Sequence, residues 1–138
     1  MNPGSILALD VGNVRVGVAA SDPTQTISTP LRSLTRKNSI SEIREICSDK
    51  DIVLILVGMP YLPSGKSGTQ AQITEEFINE LRLSTEIPIR TVDERMTTID
   101  AKIRLKEAGH KNTSRTSNKG IIDSAAAAVL LDGYISSL

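Results

Sequence analysis

The sequence predicts an α/β domain built on a mixed five-stranded sheet with helices on both faces. Strand-like segments fill the first quarter of the chain, and a tight-turn signal separates the first two. Beyond them, short apolar runs alternate with segments of helical periodicity, which is typical of parallel strands joined by helices. The 138 residues suffice for one hydrophobic core, so we expect residues 1–138 to form a single domain.

The first three strands are predicted to form an antiparallel meander. Ser5 to Val11 and Val14 to Ala20 pair as a hairpin, because Gly12-Asn13 is a strong short-turn signal. Ile27 to Leu34 is the third strand, and Pro30 confines it to an edge of the sheet, since proline cannot donate to a ladder.

Helices and parallel strands alternate in the remainder of the chain. The predicted elements are a helix from Ser39 to about Asp49, a strand over Ile52 to Val57, a helix from Thr69 to Leu83, a strand over Pro88 to Val92, a helix from Thr97 to Ala108 and a final helix from Asn118 to Ser136. A meander followed by such units is the ribonuclease-H-like plan.

The composition of the chain argues against several classes of protein. A single cysteine, Cys47, excludes an internal disulfide, and a single histidine, His110, leaves little material for a histidine zinc cluster or a Ser-His-Asp triad. Apolar runs such as Ile52 to Val57 are far shorter than the roughly 18 residues that a membrane span requires. The first five residues contain no basic leader, so we expect a cytoplasmic protein.

Acidic residues stand at the ends of three apolar segments. Asp10 ends the first strand, the pair Asp93 and Glu94 follows a parallel strand, and Asp123 lies near the start of the final helix. Carboxylates gathered by a fold require a positive partner, commonly a divalent cation, so the pattern predicts a metal-dependent active site. Because successive strand residues face opposite sides, we expect only one of Asp93 and Glu94 to reach the metal.

Each acid also has a purely structural interpretation. Asp10 before a glycine is a common turn residue, and Asp123 near a helix start interacts favourably with the helix dipole. For Asp93 and Glu94, the structural interpretation is a favourable interaction with Arg95 and with the dipole of a helix that begins after them.

Basic residues concentrate between Lys102 and Lys119, where six lysines and arginines accompany one acid, Glu107. Such a stripe can follow a phosphate backbone, although an ordinary solvated surface explains it equally well. The formal net charge is zero, so nucleic-acid binding depends on this local patch. With Tyr61, Phe77 and Tyr134 as the only aromatic residues, base stacking on an aromatic platform is not expected.

The chain resembles the YqgF/RuvX family of Holliday-junction-resolvase-like proteins, whose members are also described as pre-16S rRNA nucleases. The resemblance rests on four blocks in order: Leu9-Asp10-Val11-Gly12 with Arg15, Gly17, Ser21 and Asp22; Val57-Gly58-Met59-Pro60 followed by Gly65; Asp93-Glu94-Arg95 with Thr97 and Thr98; and Ile122-Asp123 with Ala125, Ala126 and Leu130. Asn13 and Met96 depart from the usual family residues, and neither position is acidic.

The resemblance implies a ribonuclease-H-like nuclease whose catalytic, metal-binding acids are Asp10, Asp93 or Glu94, and Asp123. It implies processing of the 5′ end of pre-16S rRNA in the cytoplasm, with branched DNA as the alternative substrate. Two Mg²⁺ or Mn²⁺ ions about 4 Å apart are expected to activate a water and to stabilise the leaving oxygen.

Substrate phosphates are expected to contact basic side chains near these acids. The candidates are Arg15, Arg95, Lys111, Arg115 and Lys119. Two rival interpretations remain open: a non-catalytic RNA-binding assembly factor, with a ribosomal partner, and a nucleotide-binding actin-like fragment, which requires a second domain.

Overall fold

A computed structural model describes residues 3–61, 64, 68–94 and 118–138, and it describes side chains of the last segment from Ser124 onward. The elements are β1 (Ser5–Val11), β2 (Arg15–Ser21), β3 (Ser28–Pro30), β4 (Leu34–Thr35), a 3-10 turn (Arg36–Asn38), α1 (Ser39–Asp49), β5 (Ile52–Met59), α2 (Thr69–Ser84), β6 (Ile89–Asp93) and α3 (Asn118–Ser136). The helix predicted from Thr97 to Ala108 lies outside the described residues.

The strands form one mixed sheet in the order β3-β2-β1-β5-β6, with β4 also pairing with β2. β2 pairs antiparallel with β1, β3 and β4, whereas β5 runs parallel to both β1 and β6. The predicted meander followed by parallel strands is therefore confirmed.

The third strand differs from its prediction. Instead of one strand over Ile27 to Leu34, the chain pairs with β2 in two short pieces, which are separated by residues 31–33. The first piece ends at Pro30, although the N–H of Leu31 still donates to the carbonyl of Val18 at 2.8 Å. Pairing resumes at Leu34, whose side chain is buried.

Helices cover both faces of the sheet, as the alternating strand residues require. α1 and α2 pack on the face that carries Leu7, Leu9 and Val57, where Phe77 is fully buried. α3 packs on the face that carries the residues Ile6, Ala8, Ala19 and Leu56. The small side chains on this second face let α3 approach the central strands closely.

Two further predictions can be compared with the described residues. Cys47 lies within the helix predicted from Ser39 to about Asp49, and the structure buries it on α1 among core residues. Among the helices described in the structure, none is both long enough and apolar enough to cross a membrane.

Candidate active site

The carboxyl groups of Asp10 and Glu94 meet at one end of the sheet. Side chains alternate between the two faces along β1, so Asp10 lies on the same face as Ile6 and Ala8. This face is covered by α3. Glu94 directly follows β6. Val92, two residues earlier, lies on the face covered by α3, so strand alternation puts Glu94 on that face as well. The two carboxyl groups are hydrogen-bonded to each other.

Gly58 creates the passage through which Glu94 reaches Asp10. β5 lies between β1 and β6, so a side chain from β6 must cross β5 to approach β1. A Cβ atom at Gly58 would lie 2.9 Å from Cγ and 3.0 Å from Cδ of Glu94, which shows that Glu94 lies directly over the glycine. Any larger residue at this position would displace the carboxyl group.

Burial and neighbouring charges keep the Glu94 carboxyl protonated. Desolvation, followed by the charge of Asp10, the hydrogen bond to Asp10 and the charge of Asp93, raises the pKa of Glu94 to about 8. At neutral pH, Glu94 therefore keeps its proton and donates a hydrogen bond to the Asp10 carboxylate. The proton satisfies two carboxyl groups that would otherwise repel each other in a partly buried site.

This donor set fits a hard divalent cation. Carboxylate oxygens are the preferred ligands of Mg²⁺, and a cation can replace the shared proton while relieving the same repulsion. Within the described part of the chain, no group of three or more His, Cys, Asp or Glu residues forms a metal-binding cluster. The structure thus brings together two of the four predicted acids.

Asp93 lies on the other face of the sheet. It pairs with Met59, whose side chain belongs to the core beneath α1 and α2. Its charge still reaches Glu94 and contributes to the raised pKa of that residue. Glu94, rather than Asp93, is the acid of this pair that touches Asp10.

Asp123 belongs to α3, although its side chain lies outside the described residues. The next residue, Ser124, is fully buried, and its Oγ accepts a hydrogen bond of 3.3 Å from the backbone N–H of Val18. Val18 neighbours Gly17, which pairs with Asp10 across β1 and β2. The turn of α3 that contains Asp123 is therefore anchored one strand away from Asp10.

The predicted phosphate-binding residues are only partly described. Arg15 begins β2 and is half-buried, and its carbonyl accepts a hydrogen bond of 2.8 Å from the N–H of Gly12. Lys119 lies in α3, with its side chain outside the described residues. Arg95, Lys111 and Arg115 also lie outside them.

Sequence reasoning missed two residues that build this site. The predicted strand ended at Val57, but β5 continues to Met59, and Gly58 within it makes room for Glu94. A glycine within an apolar strand that precedes an acidic pair is the signal for such a passage. No pattern in the sequence indicated Ser124. Its hydrogen bond with Val18 depends on the interruption of strand pairing with β2 between β3 and β4.

Known proteins match nearly the whole chain in sequence. A family model described as RuvX, Holliday junction resolvase, matches residues 4–137. A relative from Roseiflexus sp. (strain RS-1) is 36% identical over 138 residues, covering 98% of this chain and 96% of the relative. Another from Crocosphaera subtropica is 34% identical over 134 residues, covering 95% and 92%. Both carry the name "Putative pre-16S rRNA nuclease".

Solved structures with little sequence identity share the fold. Thermus thermophilus RuvC in complex with a Holliday junction substrate has a TM-score of 0.54 at 10% identity, covering 96% of this chain and 94% of that one. The yeast mitochondrial Holliday junction resolvase Ydc2 has a TM-score of 0.57 at 12% identity, covering 94% and 77%. The predicted ribonuclease-H-like fold is confirmed, and the match over residues 4–137 shows that the chain belongs to the RuvX family.

Proposed function

We propose that this protein is a divalent-metal-dependent nuclease that processes the 5′ end of pre-16S rRNA in the cytoplasm. The observation that carries the proposal is the hydrogen-bonded pair of Asp10 and Glu94, two carboxyl groups brought together from β1 and β6. A fold gains nothing in stability from such a pair, because burial and mutual repulsion oppose its ionisation. Pairs of this kind are typical of functional sites.

Each acid has a distinct role in the proposal. Asp10 and Glu94 hold Mg²⁺ or Mn²⁺ once Glu94 has lost its proton, and Asp123 supplies a further carboxylate from α3. Asp93 does not bind the metal and contributes through its charge. When bound, the ions activate a water and stabilise the leaving oxygen of the phosphodiester.

RNA is the proposed substrate because the relatives that cover nearly the whole chain are named for pre-16S rRNA. Arg15 is proposed to contact a phosphate, because it begins β2, the strand whose Gly17 pairs with Asp10. Arg95, Lys111, Arg115 and Lys119 extend the contacts along the backbone. A ribosomal protein or precursor particle would present the substrate.

Branched DNA is the second candidate substrate. The family description names a Holliday junction resolvase, and the fold is that of RuvC in complex with such a junction. A cation-dependent site of this kind acts on a phosphodiester of either nucleic acid, so the substrate is decided by the surface around the acids.

A cleavage assay on matched substrates tests the proposal. The full chain is incubated with Mg²⁺ or Mn²⁺ and either an end-labelled RNA spanning the 5′ boundary of 16S rRNA or a four-way DNA junction. We expect metal-dependent cleavage of the RNA, and none with EDTA. Cleavage of the junction alone would favour the second candidate, and cleavage of neither would contradict nuclease activity.

A further inference from the structure

We propose that Gln70 and Arg36 are positioning residues that fix the end of β1 and thereby set the location of Asp10. The inference rests on the proposed function, because it concerns the geometry of a carboxylate that binds metal. Both residues approach the turn between β1 and β2 from the side of the sheet that carries α2, opposite the face on which Asp10 meets Glu94.

Gln70 replaces a strand partner that β1 lacks. Pairing between β1 and β5 ends at Leu9 and Val57. Two residues further on, Val11 is a non-hydrogen-bonded partner of Val16, so its carbonyl points away from β2. The side-chain amide of Gln70 donates to this carbonyl at 3.1 Å.

Arg36 holds the turn at a second point. Its guanidinium donates to the carbonyl of Gly12 at 3.3 Å, and its backbone N–H donates to the carbonyl of Val14 at 2.8 Å. The guanidinium also lies over the ring of Phe77, 4.9 Å from the ring centre, and Phe77 is fully buried on α2. This cation–π contact ties the arginine to the core.

The backbone of the turn is closely packed at Gly12, two residues after Asp10. The N–H of Gly12 donates to the carbonyl of Arg15 at 2.8 Å, and a Cβ atom at Gly12 would approach that carbonyl to 2.8 Å. β5 no longer pairs with β1 beyond Leu9, and β4 supports the turn only on the β2 side, so these two side chains support the β1 side of the turn. Their loss lets the strand end that carries Asp10 shift relative to Glu94.

Such a shift of Asp10 should lower both metal affinity and kcat. Groups that orient metal ligands typically contribute about 10-fold or more to metal affinity or activity. Apart from Arg15, the basic residues proposed to bind substrate belong to other parts of the chain, so we expect kcat to fall about 10-fold while KM changes less than about twofold. A purely structural role would lower thermal stability and leave both metal affinity and kcat of the folded protein unchanged.

The test compares Gln70→Met, which keeps length and removes the donor, with Gln72→Met on the exposed side of the same helix. Mn²⁺ affinity is measured by titration calorimetry on the full chain, and kcat and KM are measured on labelled precursor RNA. We expect Q70M to lose about 10-fold in Mn²⁺ affinity and in kcat, with Q72M equal to the wild type. Should Q70M fail to fold, Arg36→Lys carries the test against exposed Arg32→Lys.

The outcomes separate this inference from the proposed function. A wild-type chain that binds no Mn²⁺ and cleaves no RNA overturns the proposed function and this inference with it. A wild-type chain that does both, with Q70M and R36K matching their controls in metal affinity and kcat, overturns the inference alone.

Discussion

The backbone N–H of Val18 donates a hydrogen bond of 3.3 Å to the Oγ of Ser124, and this contact joins the final helix to the centre of the sheet. Val18 points its N–H away from β1, toward the position that a third strand would occupy. Strand pairing with β2 is interrupted at this position, between β3 and β4. The N–H of Val18 would therefore have no strand partner without Ser124. Ser124 fills the gap and fixes the helical turn that contains Asp123.

Replacing Ser124 by alanine should destabilise the fold, because it leaves a buried N–H without an acceptor. The expected loss is about 1–3 kcal/mol in the free energy of unfolding, measured with urea. Nuclease activity of the folded protein should fall too, since the turn with Asp123 is no longer anchored. Exposed Ser136→Ala is the matched control, and equal stability of the two variants would refute the anchoring role.

Replacing Gly58 by alanine should push the Glu94 carboxyl away from Asp10. The added Cβ would lie 2.9 Å from Cγ of Glu94, closer than a relaxed contact allows, so the side chain must move. We expect metal-dependent cleavage to fall about 10-fold or more with the fold retained. Gly133→Ala, at an exposed position of α3, should instead raise stability by up to about 1 kcal/mol. Full activity of G58A would contradict the proposed passage.

The raised pKa of Glu94 makes a prediction about stability and pH in the absence of metal. An acid whose pKa rises on folding, here from 4.5 to about 8, contributes stability that is present below pH 4.5 and is lost as the pH rises through 8. Glu94→Gln cannot ionise, so it should avoid this loss. At pH 8 in EDTA, E94Q should exceed the wild type by about 2–4 kcal/mol in unfolding free energy.

The same comparison at about pH 3 should show the two proteins nearly equal, since Glu94 is protonated in both the folded and the unfolded state well below pH 4.5. Exposed Glu86→Gln serves as the control and should keep the wild-type dependence. Adding Mg²⁺ should stabilise the wild type and not E94Q. Identical pH profiles of wild type and E94Q in EDTA would show that Glu94 ionises normally in the folded protein.

The basic stripe remains a prediction from the sequence. Neutralising Lys111, Arg115 and Lys119 together should weaken RNA binding and reduce its salt dependence. Each lost phosphate contact should lower the slope of log affinity against log salt by about 0.7 for a single strand. Fluorescence anisotropy at several salt concentrations measures both quantities.

A control variant removes the same number of charges from the α1 side of the molecule. Its substitutions are at the exposed residues Arg32, Lys37 and Arg44. Unchanged affinity and slope in the first triple variant, or equal losses in both, would show that the stripe is ordinary solvated surface.

Much of the fold follows from local patterns in the sequence. The strand over Ser5–Val11 and the helix over Asn118–Ser136 were predicted with the observed bounds, because alternation and helical periodicity are local properties. The broken third strand was missed, since only the pairing with β2 shows that the ladder ends at Pro30 and resumes at Leu34.

The site was predictable in its chemistry more than in its geometry. Strand alternation predicted that one residue of the acidic pair would face Asp10, but selecting Glu94 required the register of β6 against β5. The contact between Glu94, which follows β6, and Asp10 on β1 depends on the open space above Gly58 between them. Ser124 and Gln70 act through tertiary contacts that no spacing in the sequence indicates.

Replacing Asp10 by asparagine tests the central claim most directly. The substitution keeps the shape of the side chain and removes the charge that would hold the cation, so the fold should persist. We expect Mg²⁺-dependent cleavage of labelled precursor RNA to fall at least about 100-fold. Asp51→Asn, at an exposed turn with φ 52°, should retain wild-type activity. A folded D10N variant that cleaves at near-normal rate would contradict a metal-dependent active site at Asp10 and Glu94.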